Sequence, residues 1–277
     1  MSEYLASFPF STELPSQTEI CGLILDPNST LVFDFDDTIA KTSPFQRQAI
    51  QGIVEANSGL KLEIDHEFAM QHLRGKQPDE IFRIVYRNYC NINDEELIML
   101  SVEQREDALV AQVLNASELN SSLMFGVDTL IRKLRTARKQ AGIASHSGDK
   151  FITAFLEKAM IDGTPIADVF PATTIVGGET IRRVATEVNT SESSEITLYK
   201  PIGFSIYAAA CAIDKKLPNA ILYIGDSKID LQSSMGRVDM IGLIINDNEL
   251  LLEEMRSQTS CSGNIFFARS FEEVFNG

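Results

Sequence analysis

A parallel β-sheet with helices on both faces, interrupted after its first strand by an all-helical insertion, is the α/β architecture that the sequence predicts. From Gly126 onward, short apolar runs alternate with helix-like stretches, and strands alternating with helices imply parallel pairing through helical crossovers. The run Leu31-Val32-Phe33 stops abruptly at Asp34, as a buried parallel strand does where it meets a functional loop. Between Ser43 and about Ser121 the pattern is helical throughout, with no convincing strand.

Taken in order, the first thirty or so residues are polar and turn-rich. Their one apolar run, 20–25, reads as an appended strand or arm closed by a DPNS turn. The strand at 31–33 follows. Ser43-Pro44 makes an N-cap and first-turn pair, Asp79 and Glu80 follow Pro78, and 94–114 is helix-forming in composition. Beyond Gly126 the text predicts a helix through Leu134, a strand ending at Ser145, a helix through Met160 and a strand near Ile175. A helix from Ile202, a strand at 220–224, another helix and a strand at Met240–Ile245 complete the alternation. Residues 1–42 and 122–277 are thus expected to form the core, with 1–29 as an arm and 43–121 as a separate helical cap domain. The polar stretch 177–196 is longer than an ordinary connection and reads as a surface excursion.

Composition limits what such a fold would do. With 277 residues, 44% of them hydrophobic, the chain can bury a substantial interior. A formal charge of -15 repels nucleic acid and anionic lipid on average, while a local basic pocket can still hold a small anion. Cys21, Cys90, Cys211 and Cys261 are widely spaced, which fits reduced, mostly buried thiols better than a zinc site or disulfide framework. No apolar run approaches the roughly 20 residues of a membrane span, and the amino terminus lacks a signal-peptide pattern, so a cytoplasmic location is expected.

Four separated segments carry the polar chemistry: DFDDT at 34–38, ASHS at 144–147, YKP at 199–201 and GDSKID at 225–230. Each ends a predicted strand or begins the next turn, and in an open parallel sheet those ends converge on one crevice. Asp34 and Asp36 project to one side if strand geometry persists, so one can attack while the other moves the proton. The set suits phosphoryl transfer: Asp34 as nucleophile, Asp36 as general acid and base, Lys200 and Ser145 stabilising the transferring oxygens. Mg²⁺ would relieve the repulsion between carboxylate and phosphate, with Asp34 and Asp226 as side-chain ligands and Asp230 orienting metal waters or Lys200.

In this order, DxDxT, a strand-end serine, Lys-Pro and GDSxxD resemble the motifs of the haloacid dehalogenase-like hydrolase superfamily, over nearly the whole chain between the arm and the tail. The resemblance implies a Rossmann-like core and Mg²⁺ held by Asp34, Asp226 and the main-chain carbonyl of Asp36. The helical insertion resembles the cap of the phosphoglycolate phosphatase and beta-phosphoglucomutase branch, and 73–82 sits where that cap presents its specificity loop. Retention of Asp36 favours an oxygen leaving group that needs a proton. Asp37 stands where glycine is commonest, Lys41 where many relatives are acidic, and 177–196 lengthens the usual interval before the motif lysine.

Bland alternatives stand beside several of these readings. Ser147 competes with Ser145. Thr38 either faces phosphate through its backbone or caps the loop. Arg74 and Lys76 either grip a second anionic group of the substrate or are solvated helix-end charges, and His146 either lines the pocket or is structural. The expectation is a Mg²⁺-dependent phosphatase acting on a small phosphorylated metabolite, without nucleic-acid or membrane partners. A sugar phosphomutase and a catalytically idle partner-binding protein are the alternatives.

Overall fold

The structure is a computed structural model that describes residues 17–73, 76–189, 198–215, 218, 220–237, 239–259 and 264–276. Its centre is a six-stranded sheet in the order β5-β2-β1-β6-β7-β8, formed by Thr30–Phe33 (β1), Gly142–Ala144 (β2), Ile175–Val176 (β5), Ile221–Gly225 (β6), Met240–Ile245 (β7) and Ile265–Ala268 (β8). Every pairing in it is parallel. A two-stranded antiparallel hairpin, Met160–Ile161 (β3) with Thr164–Pro165 (β4), stands apart.

Alternation along the strands shows why both faces are covered. Leu31 and Phe33 of β1 and Leu222 and Ile224 of β6 join one apolar cluster. Their neighbours Val32, Ile221 and Tyr223 join another on the opposite face. The first face packs Gln17–Leu25 (α1), Val127–Thr136 (α5), Asp149–Lys158 (α6) and Phe271–Asn276 (α11). On the second lie Phe204–Asp214 (α8), Lys228–Ser234 (α9) and Glu249–Gln258 (α10). The chain is a Rossmann-like α/β fold. Fully buried strands such as β7, with six buried residues in six, need no polar alternation.

Between β1 and β2 every described regular element is helical. Ser43–Ser58 (α2) has proline in its first turn and ends at Gly59 with φ +72°, the left-handed closure that glycine permits. Pro78–Val85 (α3) follows a short helical and π-helical stretch from His66 to Leu73. Glu95–Asn115 (α4) is capped by Asp94, whose side chain accepts from the N–H groups of Glu96 and Leu97 at 3.0 and 3.1 Å. These helices share their own apolar cluster, with Ile50, Val54, Phe82, Tyr86 and Ile98 in it. Both ends of the insertion nevertheless enter the sheet's cluster, through Phe45 and Ala49 of α2 and Leu109 and Val113 of α4.

Several local expectations need correction. Residues 20–25 belong to helix α1, not to a strand or arm: Ile20, Leu23 and Ile24 recur at helical spacing and are buried in the sheet's main cluster. The stretch 177–196 is not an irregular excursion over its first part. Gly178–Asn189 (α7) is a helix that buries Ile181, while 190–197 lies outside the described residues. The helix expected through Met160 ends at Lys158, where the hairpin takes over. The sheet also gains β8 from the apolar run at 265–268, beyond the last strand expected. Cys21, Cys90 and Cys211 are free but only partly buried, and Cys261 lies outside the described residues.

Candidate active site

Strand order places the site. The chain moves from β1 outward to β2 and β5, then crosses to β6 on the other side of β1 and continues to β7 and β8. The crevice at the carboxyl ends of β1 and β6 is therefore the topological switch point, where open α/β sheets bind ligands. Asp34 directly follows β1 and extends its ladder, its N–H donating to Ile224 O at 2.7 Å. Asp226 directly follows β6. A cavity of about 390 Å³ opens there, with Asp34, Asp36, His146, Ser147, Lys200, Asp226 and Asp230 in its wall.

Asp230 is fixed by the way α9 begins. Ser227 and Asp230 form a capping box, in which Asp230 Oδ2 accepts from the Ser227 N–H at 3.1 Å. Gly225 leaves room for this: a Cβ there would lie 2.4 Å from the Asp230 carboxyl carbon. The other oxygen, Oδ1, accepts from Lys200 Nζ at 2.9 Å and from the Tyr223 hydroxyl at 2.6 Å. Lys200 also donates to Asp34 Oδ1 at 2.6 Å, so one buried ammonium joins two buried carboxylates. Such a pair is tolerated only with its hydrogen bonds complete, and here Lys200 donates a further one to the Tyr223 hydroxyl oxygen at 2.8 Å.

The electrostatics follow from burial and these contacts. For Asp230, burial favours the neutral acid, but Lys200 and the hydroxyl donors outweigh it and hold the carboxyl down at about 2. For Lys200, burial favours the neutral amine, yet Asp230 and Asp34 keep the ammonium more firmly protonated than a free lysine. Asp34 is raised, first by burial and then by Asp230, Asp36 and Asp226, with Lys200 acting against them. One oxygen from each of Asp34, Asp226 and Asp230 falls within 4.8 Å of the others. With Asp34 ionised, as metal binding requires, three carboxylates against one ammonium leave a net charge of minus two, a hard-oxygen environment that a divalent cation fits.

Asp36 is held differently. Its Oδ1 accepts from Thr42 Oγ1 at 2.5 Å, Ser147 Oγ at 2.9 Å and Gln46 Nε2 at 3.0 Å, and its Oδ2 from Ser145 Oγ at 2.8 Å. Two of these donors, Thr42 and Gln46, lie at the start of the helical insertion, and two on the loop after β2. Its carboxylate is not a member of the acidic triad, so any metal role for Asp36 rests on its main chain. Asp37 has φ +56°, a left-handed conformation that favours glycine and that aspartate tolerates.

The remaining sequence-predicted residues divide. Ser145 is fully buried, bonded to Asp36, and of the two loop serines it is Ser147 that lines the cavity. Thr38 is also outside that wall: it is buried, and its Oγ1 has no hydrogen-bond partner among the described residues. His146 lines the cavity with its ring edge-on to Tyr199, and burial followed by the Lys200 charge lowers it to about 4. Lys76 lines the cavity too, ion-paired with Glu80. Arg74 lies outside the described residues.

Sequence reasoning passed over Thr42, Gln46, Arg47 and Arg105, all at the cavity wall. For Arg105 a signal existed. It falls in the apolar stripe of α4 with Ile98, Leu109 and Val113, a position where a charge needs a reason.

A family model described as haloacid dehalogenase-like hydrolase matches residues 31–237. A search of curated proteins finds no match. Among solved structures, a mutant of CbbY from Rhodobacter sphaeroides, crystallised with xylulose-(1,5)bisphosphate, is similar at TM-score 0.62 and 17% identity, over 88% of this chain and 95% of that one. A predicted phosphoglycolate phosphatase from Haemophilus somnus 129pt gives TM-score 0.60 and 16% identity, over 90% and 96%. The beta-phosphoglucomutase of Clostridium difficile gives 0.55 and 14%, over 90% and 94%. Because the family match spans most of the chain and takes in Asp34, Asp36, Lys200, Asp226 and Asp230, this protein belongs to the haloacid dehalogenase-like hydrolases.

Proposed function

We propose that this hydrolase is a Mg²⁺-dependent phosphatase that cleaves a small phosphomonoester through an aspartyl-phosphate at Asp34. The observation that carries the reading is the buried assembly of Asp34, Asp226 and Asp230 around Lys200 on the wall of one cavity. The carboxylate oxygens of that cluster suit Mg²⁺, which Asp34 and Asp226 would hold together with the Asp36 carbonyl, with Asp230 orienting its waters or Lys200. An ion held there would offset the charge of both carboxylate and phosphate.

Asp34 attacks phosphorus as the bond to the leaving oxygen breaks, and Asp36 delivers the proton that makes the alcohol a good leaving group. Asp36 then takes a proton from water, whose oxygen attacks the phosphoryl group and regenerates Asp34. Lys200 keeps Asp34 oriented and adds positive charge beside the transferring oxygens. Residues 43–121 act as a cap over this chemistry, coupled to it because Thr42 and Gln46 hold Asp36. Structural relatives bound to or named for phosphorylated sugars support a small phosphorylated substrate.

Phosphate release from p-nitrophenyl phosphate and a metabolite panel tests the proposal. Turnover should require Mg²⁺, stop on chelation, and fall by about a thousandfold or more in Asp34→Asn. Undiminished turnover in that variant would refute the assignment. Isomerised sugar phosphate without free phosphate would indicate a mutase instead.

A further inference from the structure

The cavity has two walls of unlike charge. The wall from the sheet's loops carries Asp34, Asp36, Asp37, Asp226 and Asp230 together with Lys200 and Lys228. Among the described residues, the wall from 42–105 carries Arg47, Lys76 and Arg105 and no acid, in a chain where acids outnumber bases by 39 to 24. Lys76 is ion-paired with Glu80 and Lys228 with Glu254. Neither arginine has such a partner.

Arg105 is the more demanding of the two. It is 8% exposed and makes no ion pair or hydrogen bond among the described residues, and its Nε is buried without an acceptor. Asp36 and Glu106 attract its charge through space without bonding to it, and Arg182 acts against them. Asp36 accepts from four side chains, and Glu106 Oε1 accepts from the Phe151 N–H at 2.7 Å. A buried guanidinium without a hydrogen-bonded anion is costly, so a fold that keeps one at a cavity wall gains when a ligand supplies that anion. On the neighbouring helix α2, Arg47 also has an Nε without an acceptor, and its only hydrogen bond among the described residues runs from Nη1 to Ile64 O at 3.4 Å. Arg105 is moreover held in place, since Leu109 and Val113 of the same helix pack into the sheet's cluster.

We infer that Arg105, with Arg47 on the same wall, forms a subsite for a second anionic group on the substrate's leaving alcohol. The substrate class is a phosphomonoester that carries a carboxylate or a second phosphate, and Arg105 is a specificity-determining residue. The inference rests on the phosphatase reading for the position of the first phosphoryl group, which the sheet-side wall receives. It also explains the charge division: each wall takes one anionic end of a molecule that carries two such groups.

Three compounds of similar size test this with Mg²⁺-loaded protein: phosphoglycerate, which carries a carboxylate; propanediol bisphosphate, which carries a second phosphate; and glycerol phosphate, which has only a hydroxyl there. The wild type should favour at least one of the first two over the third by about tenfold or more in kcat/KM, and the preferred one identifies the anion. In Arg105→Gln that ratio should fall towards one, with partial recovery in Arg105→Lys. A loss shared equally by all three compounds, or a wild-type ratio near one, would overturn the subsite.

Calorimetric binding of the same compounds separates the two claims. Tighter binding of the two compounds with a second anionic group, without any hydrolysis, would sustain the subsite and sink the phosphatase reading. Hydrolysis of all three with equal kcat/KM would do the reverse. If Arg105→Gln does not fold, the wild-type ratios and those of Arg47→Gln decide.

Discussion

His146 lines the cavity with its ring edge-on to Tyr199, and its burial has a measurable consequence. Burial first, and then the Lys200 charge, lowers its imidazole from 6.5 to about 4, while Asp230 and Asp36 act in the opposite direction. Since the unfolded chain binds this proton more readily, the contribution is fully present above pH 6.5 and is lost as pH falls towards 4. The loss amounts to about 3 kcal/mol. Chemical denaturation from pH 7 down to 4 should show a shallower fall of stability in His146→Gln than in the wild type; parallel curves would remove His146 from the account. At this scale the acids and Lys200 were legible because phosphoryl transfer requires particular residue types in a particular order. Ser145 against Ser147 was not, since which hydroxyl reaches the wall depends on side-chain direction after the β2 turn. Arg105 lay between these cases, visible as a charge in an apolar stripe but without a named partner.

Helix α4 links the insertion to the core through one carboxylate. Glu106 reaches the first turn of α6, accepting from the Phe151 N–H, and Gly148 makes space, since a Cβ there would lie 1.7 Å from its Oε2. An acidic side chain at a helix N-terminus satisfies an otherwise unpaired donor and favours the dipole. Glu106→Ala should cost about 1–2 kcal/mol in chemical denaturation, and Glu106→Gln, which keeps an acceptor, clearly less. Equal stability of both variants and the wild type would show that the contact contributes nothing. Elements whose apolar spacing was continuous and bounded by turns, such as β1, β6 and β7, could be read directly. Helix α1 could not: its run of apolar residues, ILIL-like and interrupted only by Cys21 and Gly22, suits strand and helix alike until a packing partner chooses. The helical part of 177–196 was hidden by its polar composition, only one face of it being needed to bury Ile181.

Across the whole molecule, the parallel sheet gathers residues up to 196 positions apart in the chain, from Asp34 to Asp230, at one switch point. The insertion closes that point with a wall of opposite charge. Fold class was readable at this scale because alternation of strand and helix leaves few topologies, whereas the charge of the second wall emerges only when α2 and α4 pack side by side. The central claim is that Asp34 carries the phosphoryl group. Rapid acid quench of Mg²⁺-loaded protein during turnover, followed by peptide mass spectrometry, should find a phosphoryl adduct on the peptide containing Asp34 that is absent in Asp34→Asn. Sustained phosphate release with that peptide never modified would contradict the account.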